Sequence, residues 1–130
     1  MSTRKAIGTD AAPAAAGPYS QAIRAGDLVF TAGQLGLDAT SGEFVADDVG
    51  SQAEAALGNL GSILEAAGSG LDQLVKVTVF LADIGDWPAV NEVYARLVPE
   101  PFPARSAFAV RDLPKGARVE IEAVATVRAG

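Results

Sequence analysis

Residues 74–81 read LVKVTVFL, and both halves of their alternation are largely apolar. Val75, Val77, Val79 and Leu81 fall on one side; Leu74, Lys76, Thr78 and Phe80 fall on the other. A strand sends successive side chains to opposite faces, so this one needs cover on both. The end of the chain sets the same problem. Val119, Ile121, Ala123, Ala125 and Val127 alternate with Glu120, Glu122, Val124 and Thr126. A single layer of helices covers one face of such a sheet. The other face needs a partner, and a second copy of the chain is the simplest one.

The helices are legible from a change of period. Val49, Ala53, Ala56, Leu57, Leu60, Ile63, Leu64 and Ala67 recur at helical spacing. Asp47 or Asp48 can cap the start, and Gly68 can take the left-handed position at the end. Gly58 and Gly61 lie inside this helix at a cost of ~1 kcal/mol each relative to Ala, which predicts close helix-to-sheet packing there. A second helix is predicted after Asp86, with Pro88 in its first turn and Trp87, Val90, Val93, Tyr94 and Leu97 as its apolar stripe. Residues 3–7 read as a short edge strand, and 11–18 as a loop broken by two prolines and a glycine. The stretch 20–33 reads as a hairpin turning at Gly26-Asp27. Residues 37–44 make a second loop or hairpin tip. Strands over 104–110 and 117–127 close the chain. The order gives one domain over residues 1–130, an α+β mixed sheet with two helices on one face.

Composition then excludes several functions. The chain of 130 residues has no cysteine and no histidine. Disulfides, thiol nucleophiles, Cys/His zinc sites and a Ser-His-Asp triad are impossible. A general base must be Asp, Glu, Lys, Tyr or a terminal amine. No metal site or cofactor motif is expected, and no phosphate-binding glycine pattern occurs. A net charge of −6 argues against nucleic acid, which calls for a basic face. No apolar run approaches the ~18 residues of a membrane span. Arg4 and Lys5 before a run of alanines imitate a signal peptide, but Asp10 and Pro13 interrupt it. The expected compartment is the cytoplasm.

Against this background a few side chains stand out. Arg105 is the lone cation in a strand of small and apolar residues. A guanidinium can hold a carboxylate through two parallel hydrogen bonds; it can equally form a structural ion pair with Glu120 or Glu122. Those two glutamates share a strand face. Close carboxylates that are buried raise each other's pKa toward neutrality, whereas a solvated pair does nothing of the kind. Tyr19 can cover a ligand or pack a loop against a strand. Gly33 can admit a ligand to the backbone or make a turn.

The blocks GPYSQA, FTAGQLGLD, VKVTVFLADIGDW, VNEVY, FPARSAF and LPKGARVEIEAVA, in this order, resemble the RidA/YjgF family of reactive-intermediate deaminases. The resemblance runs from about Ala12 to Val127. It implies a chorismate-mutase-like fold and a homotrimer, with the sheets forming a central barrel and clefts between subunits. It implies hydrolysis of 2-imino acids to 2-keto acids and ammonia without metal or cofactor. By position it makes Arg105 the carboxylate anchor, Glu120 the acid that activates water, and Tyr19 the cleft tyrosine. Gly33 and Ala107 match places where backbone meets ligand, and Asn91 a further polar position. Two departures stand out: Ala32 replaces a serine frequent in the family, and Ala107 a frequent cysteine. A non-catalytic protein binding a 2-keto acid or amino acid in the same cleft is the alternative from another class.

Overall fold

The computed structural model describes residues 3–129. The strands are β1 (Arg4–Ile7), β2 (Ala22–Ala25), β3 (Leu28–Thr31), β4 (Gln34–Leu35), β5 (Leu74–Leu81), β6 (Ala104–Ala109) and β7 (Val119–Thr126); the helices are α1 (Val49–Ala66) and α2 (Trp87–Leu97). The sheet runs β1-β2-β3-β7-β5-β6, with β4 also paired to β7. Only β5 and β6 are parallel; the other neighbours are antiparallel. This is the expected mixed α+β layout. Among the described residues no helix is long and apolar enough to cross a membrane.

Local chemistry sets the boundaries. Gly26 turns the β2–β3 hairpin with φ 61°, a conformation that side chains other than glycine rarely adopt. The Asp48 side chain accepts a hydrogen bond from the Ser51 amide at the start of α1. The amide hydrogen bond also holds the Asp48 carboxyl below its usual pKa. Asp86 occupies the cap position of α2 but accepts no hydrogen bond there. Asp83 caps a preceding 3-10 turn instead, accepting from the Gly85 amide at 2.8 Å.

The core lies between the helices and one sheet face. Ala53, Leu57 and Leu60 of α1 and Val90 and Val93 of α2 pack on Val77, Val79, Leu81, Val119 and Ile121. The opposite face is open, with Phe30 at 45% and Phe108 at 44% exposure. Phe80 and Phe108 meet edge to face at 5.4 Å on that side. The open apolar face is as expected, but one member differs. A register shift between Leu74 and Lys76 turns Leu74 toward the core clusters and leaves Val75 at 44% exposure. A bulge adds a residue and reverses the alternation beyond it.

The glycine prediction also needs correction. A Cβ on Gly58 would meet nothing within 4 Å, and one on Gly61 would make ordinary contact with Leu71. The close approach lies just beyond β4. A Cβ on Gly36 would stand 2.5 Å from the Cα of Gln52, so α1 rests directly on the Gly36 backbone. Two buried amides fasten the same contact. Asn59 donates to the carbonyls of Leu35 and Leu37, and Gln52 donates to Ala46 while accepting from the Arg118 amide. The helix thereby fixes β4 and the residues that follow it.

Candidate functional site

The candidate residues fall into two groups on opposite faces of the sheet. Arg105 registers with Val77, and Ala107 with Val79; both valines are fully buried beneath the helices. Arg105 therefore projects on the helix side. Glu120 registers with Phe80 and projects on the open side. One strand, β5, separates β6 from β7, adding about 10 Å. Arg105 and Glu120 of one chain do not meet. The structural ion pair considered from the sequence is absent: the Arg105 guanidinium donates to Asn91 instead.

The acidic half surrounds a cleft of about 590 Å³ whose lining includes Tyr19, Ala32, Gly33, Gln34, Lys115 and Glu120. Gly33 lies directly under the Glu120 side chain. A Cβ there would overlap carboxyl oxygen Oε2 and lie 2.8 Å from the carboxyl carbon. No hydrogen bond reaches the Glu120 carboxyl from any described residue. Partial burial raises its pKa above 4.5, and the charge of Glu122 adds to the effect. The shared strand face of the two glutamates thus has an electrostatic consequence.

The rim of this cleft is built from the loop before β2. Buried Gln21 holds that loop: Oε1 accepts from the Thr9 amide at 2.7 Å, and Nε2 donates to the Pro13 carbonyl at 2.8 Å. Tyr19 stands on the loop, 52% exposed, its hydroxyl accepting from the Ala16 amide at 3.3 Å. Thr31 cannot supply the hydroxyl missing at Ala32. Its Oγ1 accepts from the Ala123 amide at 3.0 Å, on the other side of the strand. Lys115 enters the lining from a turn where its φ is 58°. Nothing in the local residue pattern marks this lysine, whose place depends on how the turn before β7 folds back.

The cationic half is a smaller cleft of about 320 Å³, lined by Asn91, Tyr94, Phe102 and Arg105 among others. Arg105 Nη1 donates to Asn91 Oδ1 at 2.9 Å. Its guanidinium carbon lies 4.6 Å from the ring centroid of Trp87 and 4.6 Å from that of Tyr94. Both aromatic residues read in the sequence only as an apolar stripe. The missed signal was their spacing: Trp87, Asn91 and Tyr94 fall at i, i+4 and i+7, one face of a helix. The Tyr94 hydroxyl is buried with no hydrogen-bond partner. Burial raises its pKa, while the Arg105 charge pulls the other way. Ala107 shares the helix side with Arg105 and packs against the core. Among the described residues no cluster of acidic side chains could hold a metal ion.

These observations define an α+β protein whose polar site is divided between the two faces of its sheet. The family model described as endoribonuclease L-PSP matches residues 9–127, and the chain belongs to that family. A Bos taurus relative named 2-iminobutanoate/2-iminopropanoate deaminase is 52% identical over 94% of this chain and 89% of its own. An Arabidopsis thaliana relative, Reactive Intermediate Deaminase A, chloroplastic, is 48% identical over 95% of this chain; the match spans 66% of the plant protein. The crystal structure of E. coli TdcF with bound serine superimposes with a TM-score of 0.91 at 39% identity, covering 95% of this chain and 99% of that one. The resemblance to the RidA family is borne out.

Proposed function

We propose that this single-domain protein hydrolyses 2-imino acids such as 2-iminopropanoate and 2-iminobutanoate to the 2-keto acid and ammonia. One observation carries the reading. An unpartnered carboxyl of raised pKa and a rigidly held guanidinium lie on opposite faces of the same sheet, so a working site needs two copies. We propose a homotrimer in which the open faces form a central barrel. Each cleft then takes Arg105 from one subunit and Glu120 from the next. The open aromatic face and the unpaired outer edge of β6 support this arrangement.

In that cleft Arg105 fixes the substrate carboxylate and orients the C=N carbon, with Asn91 steadying the anchor. Glu120 takes a proton from water as the oxygen attacks that carbon, and the C=N π pair moves to nitrogen. Glu120 delivers that proton to the nitrogen, giving a neutral amino alcohol, which then collapses: Glu120 takes the hydroxyl proton as the C=O bond forms, the C–N bond breaks, and this second proton passes to the departing ammonia. Backbone groups at Gly33 and Ala107 position the ligand, and Tyr19 covers it. Nothing in this sequence of steps calls for a metal or cofactor. The proposed compartment is the cytoplasm, although the plant relative carries a chloroplastic designation.

The test couples an amino-acid dehydratase, which releases the imine, to keto-acid formation with and without this protein. Faster keto-acid release is expected. No acceleration with any imino acid, together with stabilisation by a 2-keto acid, favours a binding protein; the serine held by TdcF keeps that second reading in view. RNA cleavage is disfavoured by the net charge of −6, and salt-sensitive RNA binding would restore it.

A further inference from the structure

We infer that Trp87 and Tyr94 clamp the Arg105 guanidinium between their rings, fixing the direction in which it meets a carboxylate, and that Trp87 fluorescence reports the arrival of that carboxylate. The inference rests on the reading of Arg105 as an anchor.

The geometry follows from the helix. Trp87 and Tyr94 are seven residues apart on α2, about 10.5 Å along its axis. A guanidinium carbon 4.6 Å from each ring centroid fills the gap between them. Asn91 lies between the two on the same face and holds Nη1 at 2.9 Å. Each ring presents its electron-rich face as a site for the cation.

The arrangement is unusual for its surroundings. Arg105 is exposed, on an edge strand whose residues are mostly exposed. Exposed arginines normally keep their rotamer freedom. Here Tyr94 is fixed by burial at 2% exposure, and Trp87 packs against the main core. The clamp is thus part of the rigid body of the protein. Nη1 already has a partner in Asn91, and the buried Tyr94 hydroxyl beside the guanidinium makes no hydrogen bond of normal geometry. The donors that Asn91 does not use are left to meet a carboxylate as a fork. Trp87 and Tyr94 act through Arg105 and are positioning residues.

Trp87 is the only tryptophan in the chain, so its emission reports on the clamp without a label. The experiment titrates the full-length protein with 2-oxobutanoate and, separately, with 2-oxobutanamide, which lacks the charge. Wild-type emission is expected to change with the acid and not with the amide, and Arg105→Gln is expected to abolish the response. Calorimetry then compares the variants. Trp87→Phe is expected to retain the preference for acid over amide, and Trp87→Leu to lose roughly tenfold of it while still unfolding cooperatively. A merely structural tryptophan would weaken both ligands equally and leave their ratio unchanged. An unchanged ratio in Trp87→Leu therefore overturns the clamp alone. A wild type that does not discriminate acid from amide overturns the anchor reading and the clamp with it. If Trp87→Leu fails to fold, the wild-type titration decides: no acid-specific change in emission overturns the inference.

Discussion

The two halves of the site are built in opposite ways. Arg105 is over-determined, with a ring contact on Trp87, another on Tyr94 and a hydrogen bond to Asn91. Glu120 is left without a hydrogen-bond partner, in the space that Gly33 leaves empty. The difference suits their proposed tasks. An anchor gains from being fixed before the ligand arrives. A base gains from partial desolvation, because a fully hydrogen-bonded carboxylate is too weak to take a proton near neutral pH.

The largest effect is expected from removing the base. Glu120→Gln keeps the shape and is expected to lower imine hydrolysis by ~10²–10⁴, while 2-keto acid binding persists through Arg105. Glu122→Gln is expected to cost far less. Rates of both variants on one imino acid, with assembly checked by light scattering, decide the matter. If Glu122→Gln is the inactive one, the wrong carboxylate has been named. Gly33→Ala attacks the same half by displacement, since its Cβ would occupy the place of the Glu120 carboxyl. A loss of roughly 10² in rate is expected for a misplaced group, again with keto-acid binding retained. Equal losses of rate and binding would mean that the two halves are not independent.

Arg105→Lys tests the other half. Lysine keeps the charge but cannot fork or fill the space between two rings. Keto-acid affinity is expected to fall roughly 10- to 100-fold, the worth of a charged hydrogen bond, almost as far as in Arg105→Ala. Near-normal binding by the lysine variant would reduce Arg105 to a point charge.

The smallest effect concerns pH. The base acts ionised, so activity falls as pH drops through the Glu120 pKa, which lies above 4.5. Burial is the larger cause of that shift and Glu122 the smaller. Glu122→Gln is therefore expected to move the acid limb of the kcat/KM profile to lower pH, and an unmoved limb would show that the two carboxylates are not coupled. The same raised pKa works against folding. Its stabilising contribution is present below the unfolded value and is lost as pH rises through the folded one. Ionising the base therefore works against stability, through its burial first and the charge of Glu122 second.

Much of this was legible in the residues. The alternation of 74–81 and 119–126 announced a sheet with two apolar faces, and the sequence blocks around Arg105 and Glu120 announced the family. What was not legible is non-local. The opposite facing of Arg105 and Glu120 depends on how β5 registers with β6 on one side and β7 on the other, and neither pairing is written in a single segment. The bulge at Val75 is a property of that pairing too. Gly58 and Gly61 drew attention because helices disfavour glycine, yet the close contact falls at Gly36, whose constraint exists only where α1 lands. Trp87 and Tyr94 satisfied the apolar stripe so well that their second role was hidden.

The opposite facing of Arg105 and Glu120 has a genetic consequence. In the proposed assembly each cleft draws its two charged groups from different polypeptides, so a lesion in one group can be answered by an intact neighbour. Two alleles, one encoding Arg105→Ala and the other Glu120→Gln, would each fail alone. Expressed together and mixed at random, they would rebuild roughly one cleft in four with both groups intact. Partial activity from two inactive parents is the expected phenotype, and none at all would mean that each chain carries its whole site.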